Sequence, residues 1–361
     1  MAFEPLNVLI LGASYGLLPG VKLALAGHRL TLVGRRDEIA RMAEGDLELR
    51  LRDRRTGRDV ILRAPVASQA DRGKVALRTP EQADPAAADF VIFAMQEPQY
   101  RDPAVAALAQ DIAALRRPIL SIMNLPPPPF LRRLGIAAPD ALAGVYASAE
   151  LWRHIDPRKL TNASPDAQAL RTDPDAPGRL TVTLASNFKA APLAEAADQA
   201  LLERLAHDLS HLKIEENGAT IRPPVAMLAH RSPFAPLLKW PMLIAGNCRC
   251  VAPDGIRSIR DAVLADIEAS RAIYEQVSAL VLGLGAEAKD MVAFAAYAKA
   301  AEQLDRPSSL ARGLAAGATA VERIDRLVLN LMRMNGRDIA SVAPIVATIQ
   351  DRLERNAATH A

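Results

Sequence analysis

The chain has 361 residues, enough for two domains that each bury a core of their own. Apolar residues make up 50% of it and aromatics 4%, an Ala/Leu/Val-rich mixture that suits helices packed on a sheet and argues against an all-β sandwich. The net charge of +3 comes from 44 basic and 41 acidic residues spread along the chain, without the concentrated basic stripe that nucleic-acid binding requires, so nucleic acid is excluded as a partner.

Residues 7–12 (NVLILG) are an apolar run suited to a buried parallel strand, and a Gly/Ser turn follows. Leu17, Leu18, Val21, Leu23 and Leu25 then line one face of a helix whose first turn tolerates Pro19. Gly27 and His28 end that helix, and residues 30–33 form a second strand. Alternating apolar positions over residues 47–63 flank Arg55-Thr-Gly-Arg58 and predict a hairpin inserted into the α/β series. Strands at 75–77, 90–93 and 119–122 with a helix at 105–115 continue a βαβ series and imply a parallel sheet.

The four prolines at 126–129 predict a stiff extended loop at the sheet's carboxyl edge. Further strands are expected at 144–147 and 180–184, separated by a polar loop from 156 to 177 that carries little signal. A helix at 193–212 and a strand at 213–215 complete the first domain, 1–222, and no strand signal follows Arg222-Pro-Pro224. The second domain, 223–361, reads as all-helical, with helices at 234–250, 256–284, 286–304, 312–334 and 342–354. Cys248 and Cys250, two apart on a helix, point different ways and suggest neither a disulfide nor a metal site. The longest apolar windows, such as 277–284, fall far short of the roughly 20 residues that cross a bilayer, and no basic-then-apolar leader opens the sequence. A cytoplasmic protein without a membrane partner is therefore expected.

Dinucleotide binding needs a sharp turn between a first strand and a first helix, where backbone N–H groups and the helix dipole face a pyrophosphate unobstructed. Gly12-Ala13-Ser14-Tyr15-Gly16 occupies that place, although Ser14 stands where the pattern has its second glycine and Gly16 comes one residue early. After the second strand the sequence reads Gly34-Arg35-Arg36. Two guanidinium groups there suit the 2′-phosphate of NADP, whereas a carboxylate would suit the 2′-hydroxyl of NAD. Met95, past the strand at 90–93, belongs with these cofactor-side residues.

A proton donor is expected early in the second domain. Lys239 is the first candidate, with His230 second and Arg231 beside it as a partner for a carboxylate. Ser308-Ser309 precedes a helix and reads equally as a carboxylate-binding N-terminus, with Ser309 and Asn247 as the donors, or as an ordinary N-cap.

These residues resemble the ketopantoate reductase family and the wider group of two-domain reductases that includes opine dehydrogenases. The likeness lies in residues 8–14, in Arg35 or Arg36, and in Asn124 after the strand at 119–122. It continues in Trp240-Pro-Met242-Leu243 with Asn247, and in Ser308-Ser309-Leu310 through Glu322-Arg-Ile-Asp325. The resemblance implies a Rossmann-like domain, a helical C-terminal domain and an active site in the cleft between them. It implies reduction of a small 2-oxo acid by NADPH, with Asn124 contacting nicotinamide and acid, and it leaves a homodimer open. The position of the family's lysine is Met242 here, which shifts the role to Lys239 and takes ketopantoate itself out of the implication. Two other functions remain on the sequence alone: reductive amination of a 2-oxo acid through His230 and Arg231, as in opine dehydrogenases, and a non-catalytic NADP sensor.

Overall fold

A computed structural model describes residues 4–53, 56–165, 169–183, 187–216 and 218–360; Arg55 of the expected hairpin turn and Leu184 of an expected strand lie outside them. The chain divides into two compact units. The first comprises Met1–Met95, Gln99–Phe130 and Glu150–Arg231, and the second Gln96–Pro98, Leu131–Ala149 and Ser232–Ala361. The division after Arg231 carries the first unit nine residues past the expected boundary at 222 and assigns two earlier segments to the second unit.

The first unit is built on strands β1 (Asn7–Leu11), β2 (Arg29–Val33), β6 (Val75–Arg78), β7 (Phe90–Phe93) and β8 (Ile119–Ile122), all parallel to their neighbours. Both faces of β1, β7 and β8 are apolar and buried, as sheets covered on both sides require. Among the described residues the sheet has nine strands in the order β15-β12-β9-β8-β7-β1-β2-β6-β5, with β5 (Val66–Ala67), β9 (Leu160–Ala163), β12 (Phe188–Ala190) and β15 (Met227–Ala229) completing it. The strand order turns back at β1, so the carboxyl ends of β1, β2 and β7 form the crevice in which such sheets bind ligands.

The inserted hairpin forms as expected: β3 (Leu47–Arg52) pairs antiparallel with β4 (Asp59–Ala64), from Leu47 opposite Ala64 to Arg52 opposite Asp59. The strand expected near 180, β11 (Arg179–Val182), joins this small sheet alongside β3, and β10 (Ala169–Leu170) closes its edge. Helix α1 (Leu17–Leu25) packs on strands of both sheets, which explains why nearly every residue in it is buried. Lys22 is among them. Its ammonium donates to the carbonyls of Pro223 at 3.5 Å and Pro224 at 3.0 Å, and to that of Val225, a non-glycine residue at φ +67°.

Several expectations need correcting. Helix α4 (Pro128–Arg133) begins inside the proline run, because prolines cost nothing in a first turn whose N–H groups have no intrahelical acceptor. Residues 144–147 are turn and bend, with Gly144 at φ +66°. Strand β9 was hidden in the polar loop because its sequence is Leu-Thr-Asn-Ala. Its polar side chains are buried and bonded within the sheet, Thr161 Oγ1 to the Ala191 carbonyl at 2.7 Å and Asn162 Nδ2 to the Met123 carbonyl at 3.2 Å. Strand β15 follows Arg222-Pro-Pro224, where no strand was expected.

The second unit is predominantly helical, with a two-residue ribbon of Val251–Ala252 against Gly255–Ile256. The helix expected at 256–284 is two, Ile259–Leu264 and Ile267–Gly283, because Ser258 and Asp266 each leave helical geometry and cap the helix that follows. The one expected at 312–334 divides likewise into Ser309–Ala315 and Ile324–Met334, that at 286–304 reduces to Phe294–Ala301 after a single turn, and the last is Ala343–His360.

Candidate active site

The turn after β1 has the stereochemistry that a dinucleotide demands. Gly12 sits at φ +111°, donates its N–H to the Val33 carbonyl at 2.9 Å, and leaves no room for a side chain, since a Cβ there would lie 2.6 Å from the Ala94 carbonyl oxygen. Gly16 caps α1 and allows close helix–strand packing: a Cβ on it would collide with the Gly12 carbonyl and approach Ile10 Cγ2 to 2.7 Å. Its early position thus matches a helix that starts at Leu17. Among the described residues no backbone acceptor takes the N–H of Ala13 or Ser14, and both residues face the crevice. Tyr15 is half-buried against the core.

The crevice is a cavity of about 480 Å³ that gathers Gly12, Ala13, Ser14, Arg35, Arg36 and Met95 from three strand ends. Arg35 is the N-cap of α2 (Arg36–Met42), and its side chain is 79% exposed with Asp37 3.9 Å away. Thr79 and Glu81, past β6, contribute the next wall.

Two wall residues carry chemistry that the sequence did not reveal. Glu38, on the first turn of α2, turns its carboxylate into the cavity and pairs with Arg171, whose Nη2 donates to the Ala13 carbonyl at 2.8 Å. Glu38 was readable as one of two acidic residues, with Asp37, just past the end of β2. Arg171 was not, because it sits 133 residues further on, in the loop that carried little signal.

The other candidates lie outside this cavity. Asn124 is half-buried in the bend after β8. His230 follows β15 and anchors through its N–H to the Ala190 carbonyl at 2.8 Å; Arg231, exposed, ends the first unit.

Lys239, Asn247 and Ser309 belong to the second unit. The helix expected at 234–250 runs there as a 3-10 turn (Ala235–Lys239), one α turn (Trp240–Met242), a π turn (Leu243–Asn247) and a 3-10 turn (Cys248–Cys250). Pro241 has no N–H for the Leu237 carbonyl, and the Tyr297 hydroxyl donates to the Met242 carbonyl at 3.1 Å, so the regular ladder is interrupted at both ends of the α turn. Lys239 is half-buried at the end of the first turn. Ser308 is an N-cap: its Oγ accepts from the Ala311 N–H at 3.2 Å and donates to the Asn247 carbonyl at 2.7 Å, which leaves Ser309 as the first helical residue. Burial pushes the thiols of Cys248 and Cys250 up. A further polar cluster was not foreseen. The Glu97 carboxylate accepts from the N–H groups of Ala147 at 2.9 Å and Ser148 at 2.6 Å, and burial with the charges of Glu97 and Glu322 drives the Tyr146 hydroxyl up.

A parallel sheet that reverses at β1, a glycine turn against a helix N-terminus and a helical second unit define a Rossmann-type dinucleotide fold with a helical C-terminal part. Solved structures share this fold over nearly the whole chain. A PanE/ApbA family ketopantoate reductase from Ralstonia eutropha JMP134 superposes with a TM-score of 0.64 at 17% identity, over 97% of this chain and 99% of that one. D-mandelate dehydrogenase in a ternary structure with NADH and anilino(oxo)acetate gives 0.63 at 12%, over 97% and 99%. A dimeric ketopantoate reductase from Staphylococcus aureus gives 0.60 at 11%, over 97% and 100%. No protein-family model and no curated protein matches the sequence, so the likeness is one of fold alone.

Proposed function

We propose that the chain is an NADPH-dependent oxidoreductase that reduces a small 2-oxo acid to the 2-hydroxy acid. The observation that carries this reading is the cavity at the sheet's reversal point, lined by Ala13 and Ser14, whose N–H groups no backbone acceptor takes among the described residues, and by Arg35 and Arg36. A nicotinamide dinucleotide fits this chemistry: Gly12 permits the tight turn, the two N–H groups bind the pyrophosphate, and the arginines take a 2′-phosphate. When bound, the cofactor supplies a hydride to the substrate's carbonyl carbon.

The remaining roles belong to side chains. Lys239 donates a proton to the developing alkoxide, and Asn124 orients acid and nicotinamide. Asn247 and Ser309 hold the substrate carboxylate with neutral donors. That class of substrate is the one for which the ketopantoate reductases and the mandelate dehydrogenase of the same fold are named.

Titration of the purified protein with NADPH and NADH, followed by turnover assays across a panel of 2-oxo acids, tests the reading. NADPH is expected to bind more tightly. In Arg35→Ala/Arg36→Ala the NADPH:NADH affinity ratio should fall by roughly tenfold, the lower end for charge-assisted contacts because Arg35 is largely exposed. An unchanged ratio removes the two arginines from cofactor recognition, and a protein that binds neither cofactor removes the whole assignment.

A further inference from the structure

We propose that Glu38 and Arg171 together select the cofactor: Glu38 is the acceptor for a ribose 2′-hydroxyl, and Arg171 is the cation that makes the same site hospitable to a 2′-phosphate. The inference rests on the reading of this cavity as a dinucleotide site, and it adds two residues and a mechanism to that reading.

The geometry begins at Gly34, the residue that follows β2, where folds of this type read the ribose. A Cβ on Gly34 would lie 3.3 Å from Glu38 Oε2, so the carboxylate stands directly over that position. Its side chain is 10% exposed and lines the cavity. A carboxylate so placed accepts a hydroxyl and repels a phosphate. Arg35 and Arg36, which lie on the open side, attract a phosphate from solvent but do not cancel a buried charge beneath it.

Arg171 does cancel it. The residue follows β10, the edge strand of the inserted sheet, and its side chain, 21% exposed, crosses to the crevice. One terminal nitrogen pairs with Glu38 and the other donates to the Ala13 carbonyl at 2.8 Å, so the guanidinium bridges the ribose position and the phosphate-binding turn. Its Nε is buried with no hydrogen-bond partner among the described residues, although a buried guanidinium N–H is costly to leave unmade. The insert therefore does more than cover α1. It brings a third guanidinium to the site from the far end of the domain's sequence.

A pair that served only to pin the inserted sheet onto the turn would affect both cofactors alike, and this difference is measurable. Dissociation constants for NADPH and NADH are determined by fluorescence titration for the wild type, Arg171→Met, Glu38→Gln, the double variant Arg171→Met/Glu38→Gln and Gly12→Val, each checked for fold by circular dichroism. Arg171→Met should weaken NADPH by roughly tenfold or more and NADH by less than about threefold. Glu38→Gln should do the reverse, weakening NADH by roughly tenfold and leaving NADPH equal or tighter. The double variant leaves no buried charge unpaired, so it stays informative even if Arg171→Met fails to fold; it should bind NADPH more tightly than Arg171→Met does, or, if that protein is unfolded, should prefer NADPH to NADH more strongly than the wild type does. Equal weakening of the two cofactors in Arg171→Met, or an unchanged ratio in Glu38→Gln and the double variant, overturns the proposal while Gly12→Val still abolishes binding. Undiminished binding in Gly12→Val points instead to failure of the dinucleotide reading, and this proposal falls with it.

Discussion

The turn at Gly12–Gly16 and the helical run at 234–250 are both places where the backbone leaves a regular element, and the sequence exposes the first while concealing the second. At the turn the departure is forced by glycine: φ is +111° at Gly12, and both glycines sit where a Cβ has no space. A conformational demand of that kind limits the residue type and so appears in the sequence. In the run at 234–250 the departure comes from Pro241 within it and from the remote Tyr297 hydroxyl on the Met242 carbonyl, while the apolar pattern still looks helical. The first region therefore supports a sharp expectation about its ligand, and the second only a role for its side chains.

The largest effect is expected where the constraint is tightest. Gly12→Val should abolish binding of either nicotinamide cofactor, a loss of at least about 100-fold, because the added carbons overlap the Ala94 carbonyl and demand a φ that valine avoids. Calorimetric titration of the folded variant measures it. Retained affinity means that the turn is not the phosphate site, and the contrast between the two regions then loses its functional half.

The second region is tested by its one candidate acid. Lys239→Ala should lower kcat by about 10² to 10⁴, the usual contribution of general acid catalysis, with little change in NADPH affinity. His230→Ala, on the other side of the unit division, should cost less with a 2-oxo acid substrate. A near-normal Lys239→Ala beside an inactive His230→Ala transfers the proton to His230 and favours reductive amination.

What could be read from the sequence followed the same physical line. Strands β1, β7 and β8 are apolar on both faces or nearly so, β2 is apolar on one, and all four announced themselves. Strand β9 is equally central, yet the Thr161 hydroxyl and the Asn162 amide N–H find acceptors only where tertiary structure supplies them. Glu38 and Arg171 are separated by most of the domain, and pairing of that range leaves no local pattern. Helix breaks at Ser258 and Asp266 depend on caps that compete with an unbroken apolar periodicity, and the caps prevailed.

A smaller effect separates α1 from the surface helices. Burial lowers the Lys22 ammonium from 10.5 to about 7, whereas in the unfolded chain it keeps its ordinary value. Between those limits the unfolded state binds more protons, so this group makes stability rise with pH from about 7 towards 10 and contributes no slope below that window, where both states are charged. The slope cannot exceed about 1.4 kcal/mol per pH unit for one proton. Denaturant midpoints recorded across this range should therefore climb more steeply in the wild type than in Lys22→Met, an apolar replacement of similar length. Parallel curves mean that Lys22 stays charged throughout, held by the carbonyls of residues 223–225.

The smallest effect divides two adjacent serines that the sequence presented as interchangeable. Ser308 is 1% exposed and its hydroxyl is fully engaged, accepting from the Ala311 N–H and donating to the Asn247 carbonyl. Ser309 is half-buried at the first helical position, with its hydroxyl engaged in neither bond. Loss of an N-cap hydroxyl typically costs about 1 kcal/mol, so Ser308→Ala should lower the unfolding midpoint by an amount of that order. The Asn247 carbonyl also loses the serine hydroxyl as a donor, which adds to the cost. Its effect on KM for a 2-oxo acid should come only through that displacement. Ser309→Ala should show the opposite division, near-native stability with a KM raised several-fold for the acid, because a neutral hydroxyl donor to a carboxylate is lost. Paired thermal melts and Michaelis curves on the two variants read both quantities. A Ser309→Ala enzyme with unaltered KM removes this helix N-terminus from substrate binding and leaves Ser308 with a purely structural assignment.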